Sequence, residues 1–161
     1  MKTLLALLAL MLVVSTANAQ SHVPTLDELI TLKSINGTQI SPDGKWVAYT
    51  VNYGDFKQDA FVTQIWVANT GTGKSLQLTR GEKSSANPHW SPDGQWLAFL
   101  SNRVEDKNQI FLINPEGGEA QQLTKSETAI NSFAWSEDGK MIAYAATEPT
   151  AQPMSMRATS H

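Results

Sequence analysis

The sequence predicts an all-β fold built from repeated four-stranded antiparallel units, and two internal repeats carry this prediction. A segment of twelve residues occurs three times, at 40–51, 90–101 and 135–146. A second segment, Ile-x-x-x-Asn followed by Leu-Thr, occurs twice, at 65–79 and 110–124. Internal repeats of this kind indicate one supersecondary unit copied along the chain.

The copies recur at a nearly constant spacing along the chain. Leu78 and Leu123 lie 45 residues apart, as do Ser91 and Ser136, whereas Ser41 and Ser91 lie 50 residues apart. The first unit therefore carries a five-residue insertion, which falls between its second and third strands. A period of about 45 residues with four short strands per period is typical of β-propeller blades.

Each unit has the same order of strands and turns. The first strand ends in a Ser-Pro-Asp-Gly turn, or Ser-Glu-Asp-Gly in the third unit, where proline presets φ and glycine takes the positive φ. The third strands are predicted at 64–68 and 109–113, the fourth at 75–79 and 121–124, and glycine-bearing hairpins join them. The side chains expected to pack the blades face to face are Trp46, Val47, Tyr49, Trp90, Trp96, Phe99, Phe111 and Trp135.

The positions that recur from unit to unit are interpreted as structural. These positions are Ser41, Pro42, Asp43, Gly44, Trp90, Ser91, Pro92, Asp93, Gly94, Trp135, Asp138 and Gly139. The three aspartates could suggest calcium, but each is alone in its turn without the alternating carboxylates that a calcium loop needs. We therefore predict that they stabilise the turns.

Residues 1–19 have the layout of a secretory signal peptide. A cationic start is followed by an unbroken apolar run of eleven residues at 4–14 and by small residues ending at Ala19. The run is shorter than the ~20 residues of a membrane-spanning helix. We expect cleavage after Ala19, a periplasmic or secreted protein, and no stable membrane span.

The residues before and after the repeats differ from them in sequence pattern. Thr25 and Glu28 form a predicted capping box for a short helix with an apolar stripe of Leu26, Leu29, Ile30 and Leu32, which Asn36-Gly37 is expected to end. From Thr147 onward the sequence loses its alternation. The predicted organisation is 20–37 helix and lead-in, 38–146 partial propeller (blades at 38–80, 86–125 and 130–146) and 147–161 disordered tail.

Composition excludes several functions. The 161 residues include 12 Lys+Arg, 15 Asp+Glu, three His and no Cys. This leaves no cationic excess for nucleic acid, no thiolate zinc site and no cysteine nucleophile. We predict no cofactor and no metal site.

We also predict no catalytic residue in this chain. The sequence contains no Gly-x-Ser-x-Gly nucleophile elbow. His89 is the one histidine inside the repeats, and Gln39 and Ala134 occupy its equivalent positions. A position that accepts such different residues favours a structural role over a general base.

The repeat, Trp-Ser-Pro-Asp-Gly followed by Ala-Phe, Ile-Phe-Leu and Leu-Thr, resembles the propeller repeat of the TolB type. It is also similar to the N-terminal propeller of secreted prolyl-oligopeptidase-family serine peptidases, the dipeptidyl and acylaminoacyl peptidases. The segment 26–49, a short helix running directly into Ser-Pro-Asp-Gly, resembles the lead-in to the first blade of those peptidases. The resemblance covers residues 25–146, and it implies a C-terminal hydrolase domain that this chain lacks.

Three functions remain open from sequence. The first is the N-terminal propeller portion of an exported prolyl-oligopeptidase-family peptidase, which would screen peptide substrates for the hydrolase domain. The second is a periplasmic TolB-like propeller that binds protein partners. The third is a short protein whose copies assemble into a full ring. Two blades and half of a third are fewer than the four to eight of a closed propeller, so we expect a fragment of a longer protein.

Overall fold

The computed structural model describes residues 23–148, which form one short helix and three antiparallel sheets. Two sheets have four strands each, in the orders β1-β2-β3-β4 and β5-β6-β7-β8, and the third pairs β9 with β10. This arrangement confirms the predicted fold class of two complete blades and half of a third. The elements are α1 Leu26–Thr31, β1 Ser34–Ile40, β2 Trp46–Asp55, β3 Ala60–Asn69, β4 Ser75–Gln77, β5 Ser85–Trp90, β6 Leu97–Ser101, β7 Gln109–Ile113, β8 Gln121–Gln122, β9 Ile130–Trp135 and β10 Ile142–Ala146.

The predicted signal peptide, its predicted cleavage site and most of the predicted tail lie outside the described residues. Within residues 23–148, no helix is long and apolar enough to cross a membrane.

Helix α1 starts where the capping box predicts. The Thr25 backbone N–H donates to Glu28 Oε2 at 2.8 Å, and the Glu28 N–H donates to Thr25 Oγ1 at 3.3 Å. The helix ends at Thr31 and not at Asn36-Gly37, so that part of the prediction is wrong. Asn36 and Gly37 lie within β1, where Gly37 adopts a φ of +59° at a bulge in the pairing with β2.

The five inserted residues lengthen a hairpin and do not form a loop. Strands β2 and β3 have ten residues each and stay paired as far as Asp55 and Ala60, whereas β6 and β7 have five each. The tip of this hairpin packs on α1, since a Cβ at Gly54 would stand 2.8 Å from the Ile30 carbonyl oxygen. Ile30 is half-buried there, while the other members of the predicted apolar stripe, Leu26, Leu29 and Leu32, remain exposed.

The core lies between the blades in two clusters. One joins blades 1 and 2 through Ala48, Ile65, Val67, Trp90, Leu97, Phe99, Phe111 and Ile113. The other joins blades 2 and 3 through Ala98, Leu100, Ile110, Ile130 and Phe133. Alternate side chains of β6 therefore pack against opposite neighbours, as in a strand covered on both faces.

Only part of the predicted packing set is buried. Trp90, Phe99 and Phe111 are buried, and Trp46 and Trp135 pack against the clusters while partly buried. The remaining three, Val47, Tyr49 and Trp96, are half-buried and belong to neither cluster. Val47 and Tyr49 alternate with Ala48, which faces blade 2, so they point to the side of blade 1 that no described blade covers.

The fourth strands are shorter than predicted because side chains replace part of the ladder. Thr79 Oγ1 accepts the Ile65 N–H at 2.8 Å and donates to Gln64 Oε1 at 2.7 Å. Thr124 Oγ1 bonds the Ile110 N–H and Gln109 Oε1 in the same way, at 2.9 Å each. The Leu-Thr segments are thus held by the threonine hydroxyls together with backbone hydrogen bonds, from the Leu78 N–H to the Ile65 carbonyl at 2.9 Å and from the Leu123 N–H to the Ile110 carbonyl at 2.8 Å.

Candidate functional site

The repeated turns form a hydrogen-bonded network at one end of each blade. Ser41 Oγ donates to Asp43 Oδ1 at 2.7 Å and accepts the Trp46 N–H at 3.0 Å, while Asp43 Oδ1 also accepts the Lys45 N–H at 3.1 Å. The same contacts recur in blade 2 from Ser91 and in blade 3 from Ser136. The aspartates therefore hold the turn closed with their own neighbours.

These contacts stabilise the ionised carboxylates. Hydrogen bonds from Ser41 and from the Lys45 backbone lower the pKa of Asp43 from 3.8 to about 2. The pKa of Asp93 and that of Asp138 are also lowered, mainly by the hydrogen bonds from Ser91 and Ser136. The negative charge is stabilised here by hydrogen-bond donors, and at Asp43 also by the Lys45 ammonium group 3.1 Å away.

The turns of adjacent blades touch through proline and glycine. A Cβ at Gly94 would stand 3.6 Å from Pro42 Cδ, and one at Gly139 only 3.3 Å from Pro92 Cδ. Gly139 also has a φ of +68°, so both its conformation and its close neighbour favour glycine.

Tryptophan side chains link blade 2 to blade 1 and blade 3 to blade 2. Trp90 Nε1–H donates to the Gln39 carbonyl at 3.2 Å, and Trp135 Nε1–H donates to the His89 carbonyl at 3.3 Å. Gln39 and His89 occupy equivalent positions, so the same hydrogen bond between blades occurs twice. Ile40 holds the tryptophan position in blade 1.

His89 lies in a structural setting. Its ring meets Phe133 edge-on at 5.1 Å between centroids, and Nε2 lies 3.2 Å from Asn87 Oδ1. Burial lowers the pKa of the imidazole. Neither a hydroxyl nor a carboxylate contacts it among the described residues, and in that part of the chain no group of three His, Asp or Glu side chains converges to hold a metal ion.

A polar cluster that sequence reasoning missed lies at the opposite end of blade 2 from its Ser-Pro-Asp-Gly turn. It consists of Arg103, Ser85 and Ser101, and we call it the Arg103 cluster. Arg103 Nε donates to Ser101 Oγ at 3.1 Å and Nη2 donates to Ser85 Oγ at 3.0 Å. The guanidinium also stands over the rings of Phe99 and Phe111, 5.4 and 4.9 Å from their centroids.

The described surface also has shallow depressions. One reaches about 490 Å³ and is lined mainly by charged and amide side chains around the β6–β7 and β8–β9 loops. A second, of about 290 Å³, lies between α1 and the β2–β3 hairpin tip and is largely apolar.

The stacked four-stranded sheets and the tryptophan links define the protein as part of a β-propeller. The family model for the TolB beta propeller domain matches residues 25–161, and the chain belongs to this family.

Two curated relatives are similar over the same repeats. The uncharacterized peptidase YuxL of Bacillus subtilis is 39% identical over 89 residues, which are 55% of this chain and 14% of that protein. Dipeptidyl-peptidase 5 of Porphyromonas endodontalis is 31% identical over 97 residues, which are 60% of this chain and 14% of that protein. The chain thus spans about 14% of the length of each relative.

Solved structures agree on the fold. An acylaminoacyl peptidase of Pyrococcus horikoshii aligns with a TM-score of 0.63 at 16% identity, covering 78% of this chain and 19% of that one. A putative TolB from Agrobacterium tumefaciens aligns with a TM-score of 0.56 at 26% identity, covering 73% of this chain and 39% of that one.

Proposed function

We propose that this chain is the N-terminal propeller portion of an exported prolyl-oligopeptidase-family serine peptidase, in which the propeller screens peptides before they reach a hydrolase domain. The observation that carries the proposal is the sequence similarity of 39% and 31% to two proteins that are named peptidases. Their greater length leaves room for a hydrolase domain after the propeller.

The arrangement of α1 supports the same proposal. The helix leads within three residues into β1 and packs against blade 1 at Gly54. A short helix that runs directly into the first blade resembles the lead-in of those peptidases. We extend the proposal to location: residues 1–19 would direct export to the periplasm or the medium, with cleavage after Ala19.

A second candidate is a TolB-like propeller that binds periplasmic proteins. It is favoured by the 26% identity to the putative TolB structure. In this case the propeller would serve as a binding surface only.

The two candidates differ in what the gene encodes after codon 161. We expect the DNA that follows to encode, in frame, Gly-x-Ser-x-Gly and then Asp and His, the chain order of an α/β-hydrolase triad. A longer frame with further blades and no hydrolase domain would favour the binding module instead.

Activity provides the second test. The full product of that gene should hydrolyse dipeptidyl or aminoacyl substrates, and the activity should disappear when the elbow serine is replaced by alanine. The 161-residue chain should show no turnover, because peptide hydrolysis needs a nucleophile, a base in contact with it and oxyanion donors. Turnover by the short chain that a serine-reactive inhibitor blocks would contradict this.

Export is tested separately by N-terminal sequencing of protein recovered from the periplasm or medium. A mature N-terminus at Gln20 is the expected result. A product that keeps Met1 and stays in the cytoplasm would refute the proposed location.

A further inference from the structure

The Arg103 cluster breaks a repeat that is otherwise apolar. The pairs that stand at its position are Ile35 with Val51 in blade 1 and Ile130 with Ala146 in blade 3. In blade 2 the pair is Ser85 with Ser101, which are 0% and 1% exposed. Burying hydroxyls costs free energy unless they are hydrogen-bonded, so the two serines need polar partners that the aliphatic side chains of the other blades do not.

The serine hydroxyls are oriented for a cation. Ser101 Oγ–H donates to the Ser84 carbonyl at 2.8 Å, and Ser85 Oγ–H donates to Ser101 Oγ at 3.2 Å. Because both hydroxyl protons are engaged, the two oxygens offer lone pairs to Arg103. The Nε–Nη2 edge of the guanidinium is therefore fixed by protein, and the Phe99 and Phe111 rings hold its plane.

The other edge of the guanidinium has no acidic partner. The two carboxylates of the same loop pair elsewhere, Glu105 with Lys107 at 3.7 Å and Asp106 with Lys83. Among residues 23–148, no carboxylate forms an ion pair with Arg103. Arg103 is nevertheless partly exposed, and its Nη1–Nη2 edge has the fork geometry that binds a carboxylate through two hydrogen bonds.

We propose that the Nη1–Nη2 edge of Arg103 is a binding site for a carboxylate of a peptide, either its C-terminus or an Asp or Glu side chain. The choice of a peptide rests on the proposed function. The adjacent Glu105 and Asp106 favour a singly charged ligand over a phosphate dianion, because each added negative charge is repelled by theirs.

Three peptides distinguish the source of the carboxylate. The 161-residue chain, labelled with ¹⁵N, is titrated with acetyl-Ala-Ala-Ala, with its C-terminal amide, and with acetyl-Ala-Asp-Ala amide, while the Arg103 Nε–H resonance is followed. The first or the third should shift this resonance with saturation, and which of them does so identifies the source. An equal shift with the neutral amide, or tighter binding of inorganic phosphate, would overturn the proposal.

Variants test the geometry. Arg103→Lys keeps the charge but loses the fork, and we expect about tenfold weaker binding, measured on the Ser101 amide. The double variant Ser85→Ile, Ser101→Val copies the apolar pair of blade 1 and should weaken binding to a similar extent, because the guanidinium loses its anchors. The Trp90 Nε1–H resonance should stay in place in both, which shows that the blades remain packed.

Arg80→Lys is the matched control. Arg80 is an exposed arginine of the β4–β5 loop outside the cluster. Its variant should bind as the wild type does, and an equal loss of affinity would show that the effect does not depend on the Arg103 cluster and would refute the site. A gene without a hydrolase domain would refute the proposed function but leave these titrations unchanged, so the two failures are distinguishable.

Discussion

Strands β6 and β10 are equivalent strands of two repeats, yet they differ in how deeply their side chains are buried. Every residue of β6 is buried, whereas β10 has three exposed and two half-buried residues. Their sequences, Leu-Ala-Phe-Leu-Ser and Ile-Ala-Tyr-Ala-Ala, follow the same pattern. The difference lies in the neighbours, because β6 is flanked by β5 and β7 and covered by two blades, while β10 is paired only with β9 in the described residues. A blade thus buries its apolar faces only through the adjacent strands and blades.

The largest effect should come from the aromatic position at the centre of each strand. Phe99 in β6 is 0% exposed and stacks on Phe111, whereas the equivalent Tyr144 in β10 is 51% exposed. Phe99→Ala should lower the free energy of unfolding by about 3–5 kcal/mol, and Tyr144→Ala by less than about 1 kcal/mol. Urea denaturation followed by tryptophan fluorescence measures both, and equal losses would contradict the comparison.

A smaller effect is expected from the tryptophan links. Trp90 is 8% exposed and its partner carbonyl is that of Gln39, while Trp135 is only partly buried. Trp90→Phe keeps an aromatic ring but removes this hydrogen bond, at a cost of about 0.5–1.5 kcal/mol. Trp135→Phe, the control on blade 3, should cost less because the Trp135 side chain is only half-buried, so its hydrogen bond already competes with water. We expect the denaturation midpoint of Trp90→Phe to fall below that of Trp135→Phe. The reverse order would contradict this prediction.

The smallest effect should be a change in acid sensitivity. Because the folded-state pKa of Asp43 is about 2, below the ordinary 3.8, its carboxylate stabilises the fold above pH 3.8 and loses that contribution as the pH falls toward 2. Asp43→Asn should therefore flatten the fall of the urea midpoint over that pH range and lower the midpoint at neutral pH. A variant with an unchanged acid profile would show that the turn hydrogen bonds do not contribute.

The repeat spacing predicted the blades and their order because the distance of about 45 residues between equivalent positions can be read directly from the sequence. It did not predict that Asn36-Gly37 would continue β1, because a bulge with positive φ and a helix end use the same residue types. The ends of β4 and β8 were also missed, since threonine hydroxyls accept the N–H groups of Ile65 and Ile110 in place of backbone carbonyls there.

The Arg103 cluster could not be predicted from local pattern because Ser85 and Ser101 meet Arg103 only after the blade has folded. One signal was available in the sequence. Aligning the three copies places Ser85 where the other two have Ile35 and Ile130. A polar residue at a repeat position that is otherwise apolar indicates that something other than hydrophobic packing determines the residue there.

The tryptophan links give the chain a direction of assembly. Trp90 reaches back to blade 1 and Trp135 reaches back to blade 2, so each donor needs a blade already made before it. Blade 1 carries Ile40 at that position, which has no side-chain N–H to donate. A ribosome delivers the blades in this same order, and domains synthesised first generally fold first. Each new blade can therefore dock on a finished neighbour as it emerges, and its tryptophan then hydrogen-bonds to that neighbour.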